Sequence, residues 1–223
     1  AASFGMWHSL VFRRDEPPEF KVYLDPEVHG RRASAGVVVE AFERLGMAGA
    51  WPAIRAGLQR SEAGERDRLS FFALDLHDGA RTRVKLYVSH YQADLSVVAR
   101  AARLVEGIDP AEALAFCATA GGGEGVFGER PLVSSYSFAP GSDRPMGYSL
   151  YVPIRSYVAD DEEARERVLA LAAAHGVDGA LVDRAIGAVA RRSLRDGVGL
   201  IAHVSLRLGR PQPGLTLYLS AEA

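Results

Sequence analysis

Residues 69–90 read LSFFALDLHDGARTRVKLYVSH, and their pattern decides the fold. An apolar run meets a short polar turn with Asp and Gly, then a second run alternates between two kinds of side chain. Gly, Asp and Pro set such turns, and two strand-like runs joined by a few turn residues predict a β-hairpin. In the second run, Arg83, Lys85 and Tyr87 fall on one face of a strand and Val84, Leu86 and Val88 on the other, because strand side chains alternate.

The same unit recurs along the chain. Triplets ending in tyrosine stand at 21–23 (KVY), 85–87 (KLY), 149–151 (SLY) and 216–218 (TLY). Their tyrosines, Tyr23, Tyr87, Tyr151 and Tyr218, are separated by 64, 64 and 67 residues. An apolar run and a turn precede each triplet: FGMWHSLVF, LSFFALDL, PLVSSYSF and GLIAHVSLRL before RRDEPPE, HDGART, APGSDRP and GRPQPG. Equal periods of this kind mark repeated supersecondary units. Helical stretches separate the hairpins, expected at 34–46 and 49–59, at 93–106 and 110–119, and at 160–175 and 178–194. Asp109-Pro110 reads as a helix start. The acids opening DDEEARERVLALAAA suit a helix N-terminus, and Asp160-Asp161 reads as capping. The expected order is ββ-αα-ββ-αα-ββ-αα-ββ.

Each triplet strand has an aliphatic face and a face of Lys, Arg, Tyr, Ser or Thr. On the partner run near the C-terminus, His203, Ser205 and Arg207 oppose Val204, Leu206 and Leu208. Helices need an apolar surface to pack on, so the polar faces look away from them. Closing the sheet into a barrel removes its edges and makes those faces a lumen. The expected class is α+β, an antiparallel β-barrel surrounded by helices.

Composition narrows the function. The chain has 223 residues and a formal net charge of −2, so no global basic field argues for nucleic acid or an anionic membrane. No apolar run approaches the ~18 residues of a membrane helix. One cysteine, Cys117, excludes a disulfide framework and a Cys-based zinc site, and fits a cytoplasmic protein. Of 26 basic residues only Lys21 and Lys85 are lysine, and both open a Lys-x-Tyr triplet. Lys21, Arg83 and Lys85, with Arg207 or Arg210, would gather positive charge for an anionic ligand such as a phosphate. Four tyrosine faces would attract a cation. Together these suit a reaction in which a diphosphate leaves and an allylic cation remains, shielded from water until a nucleophile attacks.

The stretches FKVYLDPEVHG, LSFFALDLHDGARTRVKLYV, GYSLYVPIRSYVADDEEARERV and VSLRL with LTLYLSAE resemble the dimethylallyltryptophan-synthase-type aromatic prenyltransferases, over nearly the whole chain. The resemblance implies the α-β-β-α prenyltransferase barrel and transfer of a dimethylallyl group from its diphosphate to an indole or tryptophan-like acceptor, a small molecule or peptide. It implies no metal or other cofactor, and the sequence has no DDxxD motif. It further implies that Lys21, Arg83, Lys85, Ser149 and Arg207 bind diphosphate, Ser149 standing where the family often has Gln. Tyr23, Tyr87, Tyr151, His203 and Tyr218 match the cation shield. Lys85 and Tyr87 are expected to act in catalysis, and His8, thirteen residues before Lys21, matches a base that removes the arenium proton. Four of the family's five hairpins are visible, so residues 1–223 are expected to form a single barrel domain lacking its N-terminal repeat, the C-terminal part of a longer protein. The alternatives are a truncated, non-catalytic barrel that binds an aromatic or phosphorylated ligand, and a repeat scaffold acting through its outer helices.

Overall fold

The computed structural model describes residues 4–58, 60, 66–76, 82–210 and 212–221. Eight strands form a sheet ordered as in the chain: β1 (Met6–Val11), β2 (Glu19–Leu24), β3 (Asp67–Asp75), β4 (Val84–His90), β5 (Leu132–Phe138), β6 (Gly147–Val152), β7 (Ile201–Gly209) and β8 (Gly214–Leu219). Pairing is antiparallel between β1 and β2, β2 and β3, β3 and β4, and β7 and β8. Three helix pairs separate the hairpins: α1 (Ser34–Arg44) with α2 (Ala50–Arg55), α3 (Leu95–Ala102) with α4 (Pro110–Gly121), and α5 (Asp161–Ala174) with α6 (Gly179–Val189). The expected element order holds. The expected turn HDGART lies outside the described residues except for Thr82.

Helices α3 to α6 each start after an Asp that accepts backbone N–H groups the first turn leaves open. Asp94 caps α3 through Ser96 N at 2.9 Å, and Asp109 caps α4 through Ala111 N at 2.9 Å with Pro110 in the first helical position. Asp160 caps α5 through Glu163 N at 2.9 Å. Asp161, read from sequence as part of the same cap, does something else. It is fully buried and accepts from Gly199, Leu200 and Ile201 N at 3.0–3.1 Å and from Arg192 Nη2 at 2.6 Å, tying α5 to the start of β7. Helix ends come earlier than expected. Ala190 is already extended and Ser193 caps a separate short turn, so α6 stops at Val189 and not at 194.

The described residues fall into two compact units. The first holds those up to His90, with Leu104–Glu106 and Ser134–Tyr148. Its core sits between α1 and the aliphatic strand faces: Phe42 meets Phe72 and Phe138, ring centroids 5.1 and 5.3 Å apart. The same face carries a buried polar chain. Asp67 accepts from His90 Nδ1 at 2.6 Å, His90 Nε2 meets Ser134 Oγ at 2.9 Å, and Ser134 meets the Tyr148 hydroxyl at 3.0 Å. Ser, His and Asp thus stand in the order of a hydrolase triad, but Ser134 is fully buried and shared with Tyr148, so the chain is a polar strut. Burial pushes the Asp67 carboxyl up, yet hydrogen bonds from His90 and Arg60 outweigh it and hold it below the ordinary range.

The second unit holds Tyr91–Arg103, Gly107–Val133 and the described residues from Ser149 onward. Here α4 and α5 pack on β7. Cys117 of α4 is buried, which pushes its thiol up to about 12.

Candidate active site

In the first unit, register sorts the side chains into rows that run across the strands. Directly paired residues share a face. Ser9 pairs with Lys21 and Lys21 with Asp75; Trp7 pairs with Tyr23, Tyr23 with Ala73 and Ala73 with Lys85; Phe71 pairs with Tyr87. Arg83 lies just before β4 and its carbonyl accepts from Asp75 N at 3.1 Å, which extends the first row. One face therefore presents a charged row, Lys21–Asp75–Arg83, beside a row of Trp7, Tyr23, Ala73 and Lys85, beside Phe71 and Tyr87. Lys21, Tyr23, Arg83, Lys85 and Tyr87 are together, as the alternation requires.

The charged row holds its own counter-ion. Lys21 Nζ lies 3.0 Å from Asp75 Oδ1 and Arg83 Nε 3.2 Å from Asp75 Oδ2, with all three side chains largely buried. The sequence reading grouped these cations without a matching carboxylate, and Asp75 corrects it. A bulge explains the miss: pairing shifts between Leu69 and Phe71, so Asp67 and Leu69 face α1 while Phe71, Ala73 and Asp75 face the other way. Lys21 and Arg83 thus share one carboxylate, and Lys85 stands in the next row.

The aromatic rows interlock. Tyr23 and Tyr87 are 5.9 Å apart, and Phe71 lies 6.1 Å from Tyr23 and 5.7 Å from Tyr87, both edge-on. Trp7 stacks on Phe4 at 4.5 Å and lies 5.5 Å from Phe71. Phe4, Trp7 and Phe71 were not singled out from sequence. Their signal was present only as alternation in the run before each triplet, which the bulge and the unknown register hid.

His8 is placed differently from the expectation. It pairs with Val22, so it belongs to the aliphatic face, opposite Lys21 and Tyr23. Counting thirteen residues back from Lys21 gives the wrong parity, because the hairpin pairs Lys21 with Ser9.

In the second unit, Tyr151 and Tyr218 are 6.0 Å apart, and His203 meets Tyr218 edge-on at 6.3 Å. His203 pairs with Tyr218 and Ser205 with Thr216, so this face also carries the expected set. Burial lowers the His203 pKa, helped by Arg155 and Arg130, and keeps the imidazole neutral. Burial and the neighbouring Tyr151 push the Tyr218 phenol up, so it too stays neutral. Ser149 is buried on β6. Arg207 Nε donates to the Gln212 carbonyl at 2.7 Å, across the β7–β8 turn, and Arg210 is exposed. Sequence reading passed over Arg155. Its Nε is buried with no hydrogen-bond partner.

Among the described residues no group of three or more His, Cys, Asp or Glu is arranged to hold a metal ion, and no helix is long and apolar enough to cross a membrane.

Over residues 5–184 the chain matches the tryptophan dimethylallyltransferase family, and it belongs to that family. Its fold class is α+β, the helix-flanked antiparallel sheet of the α-β-β-α prenyltransferase barrel. It is 58% identical to the 6-dimethylallyltryptophan synthase of Micromonospora olivasterospora, whose crystal structure is a complex with DMASPP and Trp. The TM-score is 0.93, covering 98% of this chain and 62% of that one. It is 37% identical to the 5-dimethylallyltryptophan synthase of Streptomyces coelicolor, with a TM-score of 0.85 and coverage of 97% and 61%. AnaPT from Neosartorya fischeri, 18% identical, shares the fold with a TM-score of 0.73, over 93% of this chain and 55% of its own. The chain thus spans less than two thirds of the length of these structures.

Proposed function

We propose that this chain carries the site of an aromatic prenyltransferase, which moves a dimethylallyl group from dimethylallyl diphosphate to the indole ring of tryptophan or a related acceptor. The observation that carries this reading is the charged row Lys21–Asp75–Arg83 set beside Lys85 and the cluster of Tyr23, Phe71 and Tyr87, in a chain so similar to a synthase crystallised with DMASPP and Trp. We read residues 1–223 as a single domain, acting without metal or other cofactor in a cytoplasmic setting.

The chemistry follows from the two kinds of row. The C–O bond to the diphosphate breaks and both electrons leave with oxygen. Lys21, Arg83 and Lys85 stabilise the charge that develops there, with Ser149 and Arg207 as further contacts. The allyl cation is held against the faces of Tyr23, Tyr87, Tyr151 and Tyr218, an attraction of up to ~2 kcal/mol or more per ring when water is excluded. The electron-rich indole ring attacks the allyl cation, and the new C–C bond leaves an arenium ion. Loss of one proton restores aromaticity. His203, beside Tyr218, is read as part of the shield, and His8, on the aliphatic face opposite Lys21 and Tyr23, is not placed to take that proton.

The test is mass spectrometry of the products from dimethylallyl diphosphate with tryptophan and a panel of indoles. Prenylated acceptor and free diphosphate are expected. Diphosphate release with no acceptor dependence, or no product from any indole, would defeat the reading. The alternative reading is a barrel that binds an aromatic or phosphorylated ligand without turnover. Thermal stabilisation by dimethylallyl diphosphate without product marks that case.

A further inference from the structure

In the second unit, Arg155 sits in the short turn Ile154–Ser156, which follows β6 and packs on β7. Its Nε is buried, and its guanidinium makes no hydrogen bond or ion pair among the described residues. An interior donor without an acceptor is costly, and a charged one more so. A guanidinium that the fold leaves in this state is available to an anion that arrives from outside.

A second guanidinium is brought to the same place. The Tyr157 hydroxyl donates to the Arg130 carbonyl and accepts from Arg130 N at 3.1 Å, while the Tyr157 carbonyl accepts from Arg167 Nη1 at 2.8 Å. Phe127 packs edge-on against the Tyr157 ring at 5.2 Å. These contacts tie residues 127–130 to the turn that carries Arg155. Arg130 is exposed, and its side chain also has no ion pair among the described residues. Both charges lie close enough to His203 to lower its pKa, so His203 stays neutral and adds no third charge. Along β7, His203 pairs with Tyr218 and Arg207 with Gly214. His203 and Arg207 share one strand face four residues apart, which is about 13 Å. The diphosphate contact expected of Arg207 therefore lies at one end of this face, and the Arg155–Arg130 pair at the His203 end.

We infer that Arg155, with Arg130, forms a carboxylate subsite that selects amino-acid acceptors, a role that rests on the prenyltransferase reading of the same face. An acceptor such as tryptophan sets its indole ring against the tyrosines and carries its α-carboxylate away from that ring. The planar guanidinium fork offers two parallel N–H donors to such a group. Tryptamine keeps the ring and the ammonium but has nothing for the fork to hold.

The experiment is calorimetric titration of the chain with tryptophan, tryptamine and inorganic pyrophosphate, in physiological salt that screens distant charges. The parent should bind tryptophan more tightly than tryptamine. Arg155→Gln should weaken tryptophan about ten- to hundredfold, the usual effect of losing a hydrogen bond to a charged group, and so erase that preference. Its affinities for tryptamine and pyrophosphate should not fall. Arg155→Lys should recover part of the loss, because it restores the charge without the fork. Arg130→Gln should weaken tryptophan less, and Arg184→Gln, exposed on α6, should leave it unchanged. Circular dichroism accompanies each variant. Should Arg155→Gln fail to fold, Arg155→Lys and the exposed Arg130→Gln carry the test. Equal binding of tryptophan and tryptamine by the parent overturns the proposal, as does a preference that the folded Arg155 and Arg130 variants keep. An equal loss for pyrophosphate overturns it too, since Arg155 would then be a diphosphate contact. All of this is read without turnover. Carboxylate-dependent binding without prenylated product would defeat the prenyltransferase reading and leave the subsite standing.

Discussion

Lys85 pairs with Ala73, on the strand face that also carries Tyr23 and Tyr87. Tyr87 stands two residues along on the same face. Lys85→Ala should lower single-turnover prenylation by ~10²–10³, the usual cost of one donor at a developing anion. Lys85→Arg should recover only part, because a planar fork does not replace a compact ammonium. Circular dichroism should be unchanged, and near-normal turnover would make Lys85 a solvated strand residue. Asp75 acts through its neighbours. It fixes Lys21 and Arg83 at 3.0 and 3.2 Å, and it also offsets part of their charge. Asp75→Asn should therefore separate two effects. Diphosphate binding should hold or tighten, because the wall gains positive charge. The chemical step should slow by about tenfold, because both cations lose their anchor. Equal losses in KM and kcat would show that Asp75 only supports the fold.

At the scale of elements, Asp161 links the first turn of α5 to the start of β7 through three backbone N–H groups and Arg192. Burial alone would push this carboxyl up, but those donors together hold it below its ordinary value, as His90 and Arg60 do for Asp67. The unfolded chain then takes up protons more readily than the folded one. The stability these two groups contribute is complete above the ordinary carboxylate pKa of about 4 and is lost as pH falls through the lowered folded values. Asp161→Ala should cost about 3 kcal/mol in urea unfolding at neutral pH, since it removes the carboxylate partner of Arg192 and leaves the buried Leu200 and Ile201 N–H groups without their acceptor. It should also flatten the fall in stability below pH 4. A variant as stable as the parent would refute the tie. The same elements show what the chain alone makes legible. Hairpins, helix pairs and strand faces could be read because period-two alternation and the 64-residue repeat are local or periodic signals. The pairing of Ser9 with Lys21 and the bulge between Leu69 and Phe71 could not. Turn geometry sets them, and one residue of slip moves a side chain to the other face. That is why Lys21, Tyr23, Lys85 and Tyr87 were found together while His8 was misplaced and Asp75, Trp7 and Phe71 were overlooked.

For the whole molecule, the question is whether the protein's own cations do the work that a metal does elsewhere. The strand faces carry Lys21, Arg83 and Lys85 in one unit and Arg207 in the other, against a formal net charge of −2 for the chain. In the first unit Lys21, Arg83 and Lys85 stand on one strand face, with Asp75 between the first two. Lys21 and Arg83 are held by a buried carboxylate, so their charges are fixed before a ligand arrives and little reorganisation is needed. Calorimetric titration of the chain with inorganic pyrophosphate should therefore give the same affinity, within about twofold, in EDTA and in millimolar Mg²⁺. Affinity should fall as salt rises, because screening weakens partly exposed charge pairs over a Debye length of ~8–10 Å. Lys21→Ala and Lys85→Ala should each weaken binding, by about 1.5–3 kcal/mol for a lost hydrogen bond to a charged group. Because pyrophosphate carries no prenyl group, the measurement needs neither an acceptor nor turnover. Binding that disappears in EDTA and returns with Mg²⁺, with the lysine variants unchanged, would mean that these strand cations are not the diphosphate site and that the metal-independent reading is wrong.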